Sequence, residues 1–95
     1  MSNATGRLIY KYQIPILEAF TVRLPEGAEI LRVEHIDGLS WIWAIVNTDA
    51  PDEDRHFMAF KTGTKMPDGV NLKYIGYHAI FVQAELALYL FEVLP

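Results

Sequence analysis

Ninety-five residues, 52% apolar and 13% aromatic, carry a net charge of −4 and no cysteine. The length allows one hydrophobic core, and the apolar content excludes a disordered chain. The missing thiols exclude a disulfide framework, a thiolate metal site and a cysteine nucleophile.

The eight Lys and Arg are spread singly. They offer no clustered basic face of the kind that phosphate-driven nucleic-acid binding uses, so nucleic acid is not an expected partner. No apolar run reaches the ~20 residues that span a bilayer, and the start lacks a signal-peptide pattern. A cysteine-free chain suits a reducing cytoplasm. Ser2-Asn3-Ala4 reads as a cloning remnant, so residues 1–5 are set aside and residues 6–95 are taken as a single β domain.

Period two opens the chain. In Arg7–Ile14, Leu8, Tyr10, Tyr12 and Ile14 share one face, which predicts a half-buried strand ended by Pro15. Phe20, Val22 and Leu24 alternate with Thr21 and Arg23 in a second strand, and Pro25-Glu26-Gly27 reads as a turn. Ile30–Ile36 and Leu39–Val46 flank Asp37-Gly38, which suits the type I′ turn of a two-residue hairpin. On the return strand Trp41, Trp43 and Ile45 oppose Ile42, Ala44 and Val46. A strand apolar on both faces is expected at the centre of a sheet or covered on both sides, with Trp41 or Trp43 in the core.

Asn47–Asp54 is polar and acidic and reads as a surface loop. His56–Lys61 resumes as a strand, and Thr62–Asn71, with Gly63, Pro67 and Gly69, reads as irregular. Leu72–Val82 is a long strand in which Gly76 marks a bulge or a close approach. Gln83–Leu94 holds good helix formers but also alternates, with Ala87, Tyr89, Phe91 and Val93 opposite Leu86, Leu88 and Leu90. The period favours a strand; a C-terminal helix in an α+β domain is the alternative. The expected fold is all-β, a small antiparallel sandwich or partly open barrel of six to seven strands.

The order of several short pieces resembles a family of short uncharacterised proteins encoded by phages and prophages. The pieces are Ile9-Tyr10-Lys11-Tyr12-Gln13-Ile14-Pro15, Leu24-Pro25-Glu26-Gly27-Ala28, the Asp37-Gly38 hairpin with its Trp-rich return, Thr62-Gly63-Thr64 before Pro67-Asp68, and Leu90-Phe91-Glu92. Lys65 and Met66 depart from the pattern. The resemblance implies an origin and assigns no catalytic residue.

Candidate chemistry is sparse. His35, His56 and His78 fall in separate strands without the paired spacing of a zinc site, and local hydrogen bonding accounts for each. Asp49–Asp54 lacks the glycine and distal glutamate of a calcium loop. Ser40 lies beside a turn without a nucleophile-elbow pattern. Lys61, Thr62, Gly63, Thr64 and Lys65 are the most suggestive run, since convergent N–H groups, two hydroxyls and two ammonium groups could hold a phosphate or carboxylate. A strand exit with a glycine bulge is the simpler reading of that run. The aromatics Tyr10, Tyr12, Trp41, Trp43, Tyr74 and Tyr77 read as core rather than as a base-stacking platform.

No catalytic residue, metal or cofactor is expected, and the inventory favours a non-enzyme. The leading expectation is a phage-type accessory protein of the host-cell cytoplasm that binds another protein or itself. A homodimer through the Leu86–Leu94 segment is the first form this takes, because its apolar side chains point both ways. The alternative is a small-ligand binder for a phosphorylated metabolite or nucleotide at Lys61–Lys65. A metal-dependent hydrolase using the three histidines stands behind both.

Overall fold

The computed structural model describes residues 6–81 and 85–95. The expected remnant at residues 1–5 and the polar break at Gln83 lie outside the described residues. Among the described residues seven strands make up the fold: β1 (Arg7–Ile14), β2 (Ala19–Pro25), β3 (Glu29–Ile36), β4 (Leu39–Asn47), β5 (Asp52–Lys61), β6 (Leu72–Phe81) and β7 (Glu85–Val93). They form two antiparallel sheets, ordered β1-β4-β3 and β2-β5-β7-β6. The sheets pack face to face and do not close into a barrel.

The hairpin expected at Asp37-Gly38 is present. Both residues have positive φ, 53° and 84°, as a type I′ turn requires. Its register sets β4 between β1 and β3, where strong alternation is needed. Ile42, Ala44 and Val46 turn inward and are buried, while Trp41, Trp43 and Ile45 turn outward and are half-buried.

Here the expectation of a core tryptophan fails. The β4 indoles lie on the outer face and are covered by cations, not by another layer. The Lys11 ammonium sits 4.4 Å from the Trp41 ring and the Arg32 guanidinium 4.2 Å from that of Trp43. The reading of the other aromatics as core fails too, because Tyr12 is only half-buried and Tyr10, Tyr74 and Tyr77 are exposed.

The core is built from smaller side chains. Ile14, Leu24, Val33, Ile42, Val46, Phe57, Ile80, Leu88 and Leu90 meet between the sheets. The strand β1 hangs past this core at the sheet edge, so among its inward row only Ile14 is buried and Leu8 and Tyr10 stay exposed.

One further boundary differs from the sequence reading. The acidic stretch to Asp54 is not all loop, since Asp52, Glu53 and Asp54 open β5 and pair with Pro25, Leu24 and Arg23 of β2. The charges survive in a strand because this end lies at the rim, where Arg23 reaches Asp54 at 3.2 Å. The C-terminal segment is the strand that its period favours, β7, and it lies between β5 and β6. Pairing on both sides overrides the helix propensity of its Ala and Leu residues. In β6 the register shifts between Tyr74 and Gly76, the bulge expected there. A Cβ on Gly76 would stand 3.2 Å from the Val33 side chain, so this glycine lets β3 and β6 come together where the two sheets meet.

Candidate functional site

The outer face of the four-stranded sheet follows from the register of three strands. Met58, Phe91 and Tyr74 form one cross-strand row, and Phe60, Tyr89 and Tyr77 form the next. Neither row contains a charge. Phe60 meets Phe91 edge-on at 5.7 Å, Tyr74 leans on Phe91 at 5.3 Å, and Tyr77 on Tyr89 at 5.8 Å. Such offset contacts fix the rings relative to one another. Tyr74 keeps 52% of its surface exposed, Tyr77 57% and Tyr89 36%. The described backbone is only 15 Å thick, the depth of two sheets, so among the described residues no third layer covers this face, although Phe60 within it is buried at 8% exposed.

The expected run Lys61–Lys65 leaves β5 by a tight turn. Gly63 has φ 88°, and the Thr64 N–H donates to the Lys61 carbonyl at 3.1 Å. The strand ends at Lys61, Gly63 lies in the turn rather than in a bulge, and both lysines are exposed. The structure adds a neighbour that the sequence did not reveal. A cavity of 640 Å³ opens beside the turn, with Lys61, Thr64 and Lys65 at its margin together with Glu18 and Asp68. Its walls are apolar, from Leu17, Met58, Phe60, Met66, Leu86 and Leu88. Thr62 and Gly63 are not among its lining residues.

The histidines divide. His56 lies on the outer face and shares a 2.9 Å hydrogen bond with Thr21. His35 and His78 instead meet across the seam of the sandwich on either side of Ser40. Burial, and then the neighbouring His35, hold the His78 imidazole below its ordinary pKa. No cluster of three or more metal-ligating side chains occurs among the described residues. Ser40, the one serine among them, is 1% exposed and lies beyond the reach of a substrate.

A buried ion pair was missed in the sequence. Glu92 points inward and is 4% exposed, and it receives Arg55 through both Nε and Nη2. Nη1 of Arg55 donates to the Ala28 carbonyl at 2.9 Å and lies 3.5 Å from Glu53. The Glu92 hydrogen bond raises the Arg55 pKa against the opposing push of burial. The signal was present: Glu92 is the single charge in an apolar run, and Arg55 the single cation in an acidic one. All of these bonds tie β5 to β7 and to the β2–β3 turn, so the pair acts as a clamp between them.

No curated protein and no solved structure matches the chain. A family model described as a domain of unknown function, DUF7352, matches residues 5–95, and the chain belongs to that family.

Proposed function

We propose that this is a non-enzymatic, phage-type accessory domain of the host cytoplasm that works by protein–protein contact, first with a second copy of itself. The observation that carries the reading is the uncharged aromatic face of β5, β6 and β7. Rigid, half-exposed tyrosines are the side chains that protein interfaces favour, because they bury much area and keep a polar tip. A two-fold axis through this face would place Tyr89 and Phe91 of one copy against those of the next, the commonest symmetry of oligomers. The phage assignment is supported by the ordered sequence pieces from Ile9 to Glu92.

Tyr89→Glu is expected to give a folded monomer, whereas Leu88→Glu, on the buried inward face, should unfold the domain. Ile9→Glu, on exposed β1 away from this face, should leave the dimer intact. Light scattering after size exclusion distinguishes these outcomes. A Tyr89→Glu dimer would remove the proposed face.

The cavity beside Lys61 favours a second reading in which the domain holds a small ligand. Its volume lies in the range of ligand sites, but its walls suit an alkyl or aromatic body rather than a sugar or nucleotide. An anionic head would meet Lys61 and Lys65. Titration calorimetry with dodecanoate is expected to give binding that Lys61→Ala with Lys65→Ala weakens by about tenfold or more, on the order of one to two charge-assisted hydrogen bonds. Equal binding by both proteins, or none by wild type, would remove the lysines from this role.

A further inference from the structure

The meeting of His35, Ser40 and His78 is set by strand geometry. His35 and Ser40 are cross-strand partners in the β3–β4 hairpin, so both side chains fall on its inward face. Val33 and His35 are two residues apart, as are Gly76 and His78, so each pair shares a face. Where Gly76 admits Val33, the next inward positions bring His35 and His78 together. Both Nδ1 atoms lie 2.9 Å from the Ser40 Oγ. This is a polar bridge across the seam between the sheets, with Ser40 1% and His78 3% exposed.

One oxygen between two imidazole nitrogens imposes a proton count. The hydroxyl has one hydrogen and no other hydrogen-bond partner among the described residues. It donates to one Nδ1 and accepts from the N–H of the other, so two neutral rings must be opposite tautomers. One added proton can be placed at the Nε2 of the ring that already donates, leaving both bonds intact. A second proton makes both Nδ1 atoms donors. The hydroxyl hydrogen then has no acceptor in the bridge, and two cations face one another across a single oxygen.

Among the described side chains no carboxylate reaches the bridge to offset that charge. On β3 the other titratable neighbour, Glu34, turns to the outer face and pairs with Arg32 at 3.3 Å. Asp37 lies in the exposed turn, and β4 has no charged residue. On β7 the residue opposite His78 is Leu88, and Glu92 is committed to Arg55. Lys61 of β5 lies level with Leu88, and Lys73 lies at the far end of β6; both are cationic.

We propose that the His35–Ser40–His78 bridge is an acid-sensitive latch. It holds β3 against β6 while the pair carries at most one added proton, and it opens when a second arrives. The sign of its pH dependence follows from burial. The folded chain holds His78 below its ordinary pKa, so it binds fewer protons than the unfolded chain. The stability is present above the ordinary histidine range and is lost as pH falls through that range toward the lowered value.

Thermal melts from pH 8 to pH 5 of wild type, His78→Asn and the control His56→Asn test the latch. Asparagine can keep a hydrogen bond to Ser40 without titrating. Wild type and His56→Asn are expected to lose on the order of 5 °C more between pH 7 and pH 5 than His78→Asn does. At pH 5, amide exchange should rise in β3 and β6 ahead of β2 and β5. Parallel pH profiles for wild type and His78→Asn would overturn the proposal. If His78→Asn does not fold, an NMR titration of the wild-type imidazoles decides. One ring should charge only below the ordinary range and after the other, and two rings charging independently in the ordinary range would refute the latch.

Discussion

Phe57→Ala is expected to cost about 3–5 kcal/mol, the range for removing a buried phenylalanine from a close-packed core. Phe57 is 1% exposed on β5, which lies between β2 and β7, and its ring stacks on Phe20 with centroids 5.4 Å apart. The backbone on both sides is fixed by sheet pairing and cannot collapse into the void. A domain of this length holds about 5–15 kcal/mol in total, so one such substitution leaves a marginal fold. Urea unfolding checks it through the midpoint at unchanged slope. Trp43→Ala should cost clearly less, because its indole is half-buried on an outer face beneath Arg32. A larger loss for Trp43 than for Phe57 would place the core on the wrong side of β4.

Arg55→Met is expected to be about as damaging, at roughly 3–5 kcal/mol, for a different reason. It leaves the Glu92 carboxylate inside the sandwich without its partner, and an uncompensated buried charge is among the most destabilising changes known. It also orphans the Ala28 carbonyl. Adding Glu92→Leu should recover much of the loss, since apolar replacement of a whole buried pair is often neutral or better. A double-mutant cycle in urea measures the recovery. A double variant no more stable than Arg55→Met would show that the clamp's bonds to the backbone, not its charges, hold this end together.

The fold was largely legible because its signals are local. Asp37-Gly38 fixes a hairpin by backbone conformation alone, Gly76 marks the bulge, and period two in Leu86–Val93 outweighs helix propensity. The site was less legible because alternation divides a strand into two faces without saying which one is covered. Trp41 and Trp43 looked like core by size, yet Ile42 and Ala44 are the inward pair, and thickness across two layers is a tertiary fact. Tyr89 and Phe91 were visible as one stripe, but their rows with Tyr77, Phe60, Tyr74 and Met58 depend on long-range register. The histidines show the same limit. His35 and Ser40 could be paired from the hairpin, whereas His78 joins them only through the packing of β6 on β3.

In the proposed assembly the aromatic face of β5, β6 and β7 is covered by a second copy. Sedimentation equilibrium of the wild-type protein at tens of micromolar tests it most directly. The expected mass is twice the 10.9 kDa of one chain, with tyrosine fluorescence that changes on dilution as Tyr74, Tyr77 and Tyr89 return to water. A single-chain mass across that concentration range would contradict it.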